Sequence, residues 1–295
     1  MVKLFLDTDI GPDCDDAGAL QIIHALCDQG KAELLGVTHC TSSPYGLPTI
    51  SAINRYNRRE VPLGTTRRRG FLDDGQCLRY TRPISEAFDH EFKGGRVQRE
   101  AGEILCEVLA GQRDGSVTML AIGPLNNLAD YLKDTTLHRL IARKVQRLVC
   151  MAGRFDQALA EWNISSDIAA ARAVFERWPS EIVACGWECG AGVITGAALH
   201  GRADSPVRAA YDFWTGGTLR RDSWDLAAAL YAVLGDSGWI YAGQPGRVTI
   251  TGDGVSLFAL PREKARTAID AAPGRKAIIV MGARDSSLRP WTATL

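Results

Sequence analysis

Five aspartates crowd the ten residues that follow the first apolar run of this chain, Val2 to Leu6, and no other feature limits its possible folds as much. The segment reads Asp7-Thr8-Asp9-Ile10-Gly11-Pro12-Asp13-Cys14-Asp15-Asp16. Carboxylates packed this densely beside a buried strand would raise one another's pKa unless a divalent cation or helix N-terminal amides offset their charge. The segment therefore predicts a metal site with oxygen ligands.

The residues around this segment predict a strand, a turn and a helix. Lys3 to Leu6 is typical of a short buried strand and Ala17 to Leu26 of a helix, with Gly11 in the tight turn between them. In an open α/β sheet such a turn lies at the carboxyl edge, where ligands bind. A purely structural alternative, in which Asp13, Asp15 and Asp16 only cap the helix, leaves Asp7 and Asp9 without a role.

Short apolar or β-branched runs alternate with helical patterns along the rest of the chain. We predict strands at Leu34 to Thr38, Val61 to Leu63, Val117 to Ile122, Val145 to Met151, Glu181 to Cys185 and Ala277 to Met281. We predict helices around Leu47 to Tyr56, Gln98 to Leu109, Leu125 to Leu132 and Ile168 to Glu176. The alternation indicates an α/β fold with one open, mostly parallel, Rossmann-like sheet and helices on both faces, in a single domain over residues 1–295. The aperiodic stretch from Thr65 to Gly95 predicts a long loop that could act as a lid.

The composition of the chain limits the kinds of partner it is expected to bind. The chain has 34 Lys plus Arg and 34 Asp plus Glu, so it carries no net positive charge that would attract nucleic acid or an anionic membrane. A small-molecule ligand is therefore expected. The eight cysteines show no CxxC pair and no zinc spacing with His, which predicts reduced thiols. With neither a leader pattern nor a membrane-length apolar run, we expect a cytoplasmic protein.

Three later motifs could complete a site with the acidic segment. Ile122-Gly123-Pro124-Leu125-Asn126-Asn127 follows a predicted strand, and its free carbonyl could serve as an oxygen ligand. Glu161-Trp162-Asn163 and Trp224-Asp225 each join an acidic group to an indole. Such groups suit a polyhydroxylated ring attached to a flat heterocycle, although each motif taken alone is equally consistent with a helix cap or a core position.

With these four motifs in this order, the chain resembles the inosine-uridine-preferring nucleoside hydrolase family. The acidic segment is similar to the family's Asp-x-Asp-Pro-Gly-x-Asp-Asp motif, with a longer loop before the last two aspartates. The Ile122 segment resembles its Thr-Gly-Pro-Leu-Thr-Asn turn, and Glu161-Trp162-Asn163 its Glu-Phe-Asn segment. Trp224-Asp225 is similar to its late His-Asp or Trp-Asp pair. With Trp rather than His before the last Asp, the chain resembles the purine-preferring branch of the family.

The resemblance implies a Ca²⁺-dependent hydrolase that cleaves the N-glycosidic bond of a ribonucleoside, with a purine base favoured. The implied Ca²⁺ ligands are Asp9, Asp16, the carbonyl of Ile122, and Asp225. Asp9 would also be the general base, acting on a water bound to the ion. The implied substrate contacts are Asp15, Asn163 and Asp225 at the 2′ and 3′ hydroxyls, Glu161 at the 5′ end and Trp224 at the base. Relatives commonly form homodimers or homotetramers.

Some departures from the family pattern leave alternatives open. Phe155 stands where relatives often have an Asn for the 5′ hydroxyl, and Arg154 or the run Arg67 to Arg69 could instead admit an anionic 5′ group. A non-catalytic nucleoside-binding or sugar-binding homologue is one alternative. Another is a phosphatase of the haloacid dehalogenase type, which also begins with Asp-x-Asp and carries a late Gly-Asp-Gly element like Gly252-Asp253-Gly254.

Overall fold

The computed structural model describes residues 1–73, 75, 77–236 and 240–260, together with the strand over 277–282. Its strands are β1 (Val2–Thr8), β2 (Ala32–His39), β3 (Leu63–Thr65), β4 (Val117–Ala121), β5 (Val145–Met151), β6 (Glu181–Cys185), β7 (Ile194–Thr195), β8 (Arg221–Asp222), β9 (Ile240–Ile250), β10 (Ser256–Ala259) and β11 (Ala277–Gly282). Its helices are α1 (Asp15–Asp28), α2 (Gly46–Tyr56), α3 (Thr81–Ala87), α4 (Ala101–Ala110), α5 (Asn126–Lys133), α6 (Thr135–Lys144), α7 (Trp162–Ser166), α8 (Ile168–Arg177), α9 (Trp187–Gly190), α10 (Pro206–Thr215) and α11 (Trp224–Leu234), with a 3-10 helix at Ala197–Gly201.

Nine strands form one open sheet in the order β10-β9-β11-β6-β5-β4-β1-β2-β3. Seven of them, from β11 to β3, pair in parallel, and β9 and β10 add an antiparallel edge. The strand order reverses at β1, because β2 lies on one side of it and β4 on the other. Open α/β sheets bind ligands at the carboxyl ends of the strands beside such a reversal.

Helices cover both faces of this sheet, as predicted. Successive residues of β1 belong to two different apolar clusters. Leu4 and Leu6 lie in the cluster that includes residues of α1 and α11, and Phe5 lies in the cluster that includes residues of α4 and α8. Side chains alternate between faces along a strand, so a strand buried on both faces is apolar almost throughout. The continuous apolar run at the chain start is the sequence signature of this arrangement, and the predicted α/β fold is confirmed.

The predicted loop from Thr65 to Gly95 is wrong in part, because it contains the helix α3. This helix is short; Tyr80, which precedes it, and Thr81 and Ile84 within it are fully buried. Seven residues offer too few turns for a clear helical period, so packing against the core decides the conformation. The prediction also missed α6, which begins at a recognisable signal: the Asp134 carboxylate accepts hydrogen bonds from the amides of Thr136 and Leu137.

Two further sequence predictions concern the tail and membranes. The predicted strand Ala277 to Met281 corresponds to β11. Within the ranges that the structure describes, no helix combines the length and the apolar character needed to cross a membrane.

Candidate active site

The site is built where β1 and β4 end side by side. The amide of Ile122 donates to the carbonyl of Asp7 over 2.9 Å, so the parallel pairing extends to the last residues of both strands. The next residues, Asp9 and Gly123, therefore approach closely: a Cβ placed on Gly123 would lie 2.8 Å from the Asp9 carboxylate and from the Cys40 sulfur. Glycine at this turn is what allows Asp9 to reach the edge of the sheet.

One cavity of about 350 Å³ opens at this edge, and every side chain or carbonyl predicted to act at the site lines it. The predicted members are Asp9, Asp15, Asp16, Ile122, Glu161, Asn163, Trp224 and Asp225. They come from the ends of β1 and β4 and from the first turns of α1, α7 and α11. The cavity size is in the range of small-molecule sites.

Three carboxylates form the acidic end of the cavity. Asp15, Asp16 and Asp225 are buried, and each offers an oxygen that lies within 4.8 Å of the others. The amide of Asp225 donates to Asp15 Oδ2 over 3.1 Å, which joins the start of α11 to the start of α1. Burial, with the repulsion of the neighbouring carboxylates, raises the pKa of all three well above the usual range.

This cluster fits a hard divalent cation. All its donors are oxygens, the ligand type that Ca²⁺ prefers, and a cation would offset the repulsion that burial intensifies. Capping of α1 does not account for the cluster, because the N-cap residue of α1 is Cys14, which makes no side-chain cap bond. The three carboxylates that lie together include Asp15 as well as the predicted ligands Asp16 and Asp225, while the full predicted ligand set stays a prediction.

Asp9 lies beside this cluster. Burial raises its pKa to about 7, assisted by the charges of Asp13 and Glu161 and opposed by a hydrogen bond with Asp16. Desolvation of this kind suits a carboxylate for proton abstraction near neutral pH.

Asp7, the first aspartate of the segment, points away from the cavity. Its Oδ1 accepts hydrogen bonds from Thr38 Oγ1 at 2.5 Å and Asn127 Nδ2 at 2.9 Å, and burial raises its pKa to about 7. Asn127 also donates to the carbonyl of His39 over 3.2 Å. Asp7 therefore ties β1 to β2 and α5, and its role is to hold the turn in place.

Glu161 and Asn163 are fixed by backbone contacts. The Glu161 carboxylate accepts from the amides of Gly153, Asn163 and Ile164 at 2.7 to 3.2 Å and so caps α7. Burial raises the pKa of Glu161 to about 7, although these bonds oppose the rise. Asn163 Nδ2 donates to the carbonyl of Met151 over 2.9 Å. Both residues are thus held rigidly at the cavity wall.

The same cavity is lined by a second group that the sequence did not predict as a unit, which we call the aromatic and cationic wall. It comprises Arg154, Trp187, Trp214, Arg221 and Trp224. The Arg154 guanidinium carbon lies 3.8 Å from the centroid of the Trp187 ring, and the rings of Trp187 and Trp224 are 6.2 Å apart. The Arg221 guanidinium carbon lies 4.2 Å from the Trp214 ring and 4.7 Å from the Trp224 ring.

Arg221 is held in the wall by Asp13, an aspartate of the opening segment. Arg221 Nε lies 3.0 Å from both carboxylate oxygens of Asp13, and Nη2 donates to Oδ2 as well. Trp214 Nε1 donates to the carbonyl of Pro12 over 2.9 Å, so the same loop anchors two members of the wall. No local signal could predict this pairing, because 208 positions separate Asp13 from Arg221.

Several other predicted candidates lie elsewhere. Arg67 pairs with Glu100, and Arg68 with Asp130 and Asp167, so these two cations are engaged outside the cavity. Arg154 does line the cavity, whereas Phe155 does not. Asp253 is exposed in the turn between β9 and β10, where Thr251 Oγ1 donates to its carboxylate over 2.5 Å.

The contact between Gly123 and Asp9 yields a prediction. Gly123→Ala is expected to lower the nucleoside hydrolysis predicted from the sequence by at least about tenfold. The added methyl group would displace the Asp9 carboxylate, and small misplacements at a reacting centre can cost up to about 10²-fold. Gly201→Ala, at the exposed end of the 3-10 helix where an added Cβ meets no atom within 4 Å, is the control for loss of a glycine, and the melting temperatures of both variants should be measured. Unchanged kcat and KM in Gly123→Ala would show that the close approach is not needed.

A family model, a curated protein and several solved structures are similar to this chain. The family model described as inosine-uridine preferring nucleoside hydrolase matches residues 4–235. A probable uridine nucleosidase 2 of Oryza sativa subsp. japonica is 28% identical over 194 residues, which are 59% of this chain and 53% of that protein. The chain thus matches about half the length of this curated relative.

Two solved structures share the fold. The plant nucleoside hydrolase PpNRh1 superposes with a TM-score of 0.67 at 23% identity, covering 96% of this chain and 95% of that one. An inosine-guanosine nucleoside hydrolase superposes with a TM-score of 0.73 at 17% identity, covering 95% and 94%. The family match spans most of the chain and includes all four motifs that line the cavity. The chain therefore belongs to the inosine-uridine preferring nucleoside hydrolase family.

Proposed function

We propose that this protein hydrolyses the N-glycosidic bond of ribonucleosides, with purine ribonucleosides favoured, and that it holds Ca²⁺ to do so. The observation that carries the proposal is the division of one cavity into an acidic end and an aromatic and cationic wall. A nucleoside has the same division, because a polyhydroxylated sugar is joined to a flat heterocycle. The sugar would bind at the carboxylates and the base at the wall.

The residues for the ion are Asp9, Asp16, the Ile122 carbonyl and Asp225, all of which line the cavity, with Asp15 adjacent. A bound Ca²⁺ would orient the ribose hydroxyls and lower the pKa of a water. Asp15, Asn163 and Asp225 would hold the 2′ and 3′ hydroxyls, and Glu161 would face the 5′ end.

Asp9 is the proposed general base. Its carboxylate would take a proton from the attacking water while the water oxygen bonds to the anomeric carbon and the bond to the base breaks. The sugar becomes oxocarbenium-like as this bond breaks, and the buried carboxylates around Asp9 would stabilise its positive charge. The fixed positions of Asn163 and Glu161 would orient the sugar without a reorganisation cost.

The phosphatase alternative is poorly supported by the geometry. Its nucleophile would be Asp7, which is fully buried and bonded to Thr38 and Asn127 away from the cavity. Its late acidic element would be Asp253, which lies in an exposed turn. These two carboxylates therefore do not meet at the candidate site.

The test is a panel of inosine, guanosine, adenosine, uridine and cytidine, assayed for release of reducing sugar with and without a chelator. We expect release from at least one nucleoside, lost on chelation and restored by Ca²⁺. Including the 5′-monophosphates would test whether Arg154 admits an anionic group. Binding of a nucleoside without sugar release would favour the non-catalytic alternative instead.

A further inference from the structure

Cleavage of a glycosidic bond leaves an electron pair on the departing base, and the cavity must stabilise it. Histidine, the usual proton donor near neutral pH, does not occur among the residues that line the described cavity. The ionisable groups near the proposed sugar position are carboxylates, which stabilise positive charge on the sugar and not negative charge on the base. The aromatic and cationic wall of the same cavity carries two guanidinium groups, and the guanidinium carbon of Arg221 lies 4.7 Å from the ring of Trp224.

We propose that Arg221 is the leaving-group residue, stabilising negative charge on the base as the glycosidic bond breaks; this inference rests on the proposed hydrolysis. The bond between the anomeric carbon and the base nitrogen breaks with its electron pair moving onto the base. The water oxygen bonds to the anomeric carbon and its proton passes to Asp9. The base departs as an anion and takes a proton from solvent afterwards, so the overall products are ribose and neutral base.

The contacts of Arg221 hold it in position for this role. Asp13 engages Nε and Nη2 along one edge of the guanidinium. Nη1 remains on the other edge, and its separation of 3.9 Å from Asp222 Oδ2 exceeds a hydrogen-bond distance. A guanidinium keeps five N–H donors in a fixed plane, so the edge turned from Asp13 still has donors for a ring nitrogen or carbonyl.

The neighbouring indole supplies a second donor. Trp224 Nε1 is buried, and among the described residues no group accepts its hydrogen bond. A buried N–H without a partner is costly, and a ligand atom in the cavity would relieve that cost. The rings of Trp214 and Trp224 also fix the plane of Arg221 through cation–π contacts, so little reorganisation is needed during the reaction.

The test compares two substrates that differ in their leaving groups. Inosine must release a poor leaving group, whereas the ribofuranoside of p-nitrophenol releases a stable phenolate that needs no assistance. We expect Arg221→Met to lower kcat on inosine by about 10²-fold or more, and kcat on the p-nitrophenyl riboside by less than about tenfold. Across a series of nucleosides, kcat of Arg221→Met should also depend more steeply on the acidity of the departing base than kcat of the unmodified protein does.

Arg221→Lys keeps the charge without the planar fork and is expected to lose less on inosine than Arg221→Met. Arg220→Met removes an exposed guanidinium next to it and is the matched control, with unchanged rates expected. Melting temperatures check that each variant is folded. An equal loss on both substrates, or no loss on inosine, would overturn the assignment of Arg221. If the unmodified protein cleaved neither substrate nor any nucleoside, the proposed function would fail and this inference with it.

Discussion

Asp9→Asn is expected to lower nucleoside hydrolysis by about 10³-fold while leaving the protein folded. The amide cannot accept the proton of the attacking water, and it removes one charge from a buried acidic cluster whose members raise one another's pKa. Sugar release measured at saturating nucleoside, beside a melting curve, checks both parts. Asp28→Asn serves as the control, because this carboxylate is 70% exposed at the far end of α1.

Two results would contradict this expectation for Asp9. Undiminished sugar release by Asp9→Asn would mean that another group accepts the proton. A large drop in melting temperature would mean that Asp9 serves the fold, since relief of repulsion should not destabilise it.

Asp225→Asn is expected to abolish the stabilisation of the protein by Ca²⁺. A ligand present at 100 times its dissociation constant adds about 2.7 kcal/mol to the free energy of unfolding, which should appear as a higher melting temperature of the unmodified protein. The substitution replaces one carboxylate oxygen of the buried cluster of Asp15, Asp16 and Asp225 with an NH2 group, which cannot bind a cation. The same measurement with Mg²⁺ tests which cation the site prefers.

In the presence of a chelator, Asp225→Asn and the unmodified protein should rank differently in stability than they do with Ca²⁺. Asp225→Asn should then be at least as stable as the unmodified protein, because the repulsion that raises the pKa of Asp15 and Asp16 is partly removed. Asp204→Asn, at an exposed position, is the control for loss of an aspartate. An equal rise in melting temperature with Ca²⁺ in both proteins would place the ion elsewhere.

Most of the parallel strands and several long helices could be predicted from the sequence, although α6 and α10, each ten residues long, were missed. The run before Asp7 predicted β1, and the helix predicted from Ala17 to Leu26 lies within α1. Short elements such as α3 were missed, because seven residues carry little periodic signal. The antiparallel arrangement of β9 and β10 at one edge could not be predicted either, because the only strand predicted in the tail was Ala277 to Met281.

Part of the candidate site could likewise be predicted from local sequence, whereas the rest depends on contacts between residues that are far apart in the chain. The acidic turn after β1 and the Gly-Pro turn after β4 are local features of the sequence, whereas the later motifs were informative only together and in their order along the chain. The cap formed by Glu161 and the buried role of Asp7 required the structure, because a carboxylate's partners are set by the backbone amides and side chains around it.

The sequence by itself determined the α/β alternation and the acidic turn after β1, because hydrophobic period and charge density act over a few residues. Only the tertiary structure decided which distant groups meet: Asp225 joins Asp15 across 210 positions, and Arg221 joins Asp13 across 208. The physical reason is that strand order and helix packing, which no short segment encodes, determine which loops share one edge of the sheet.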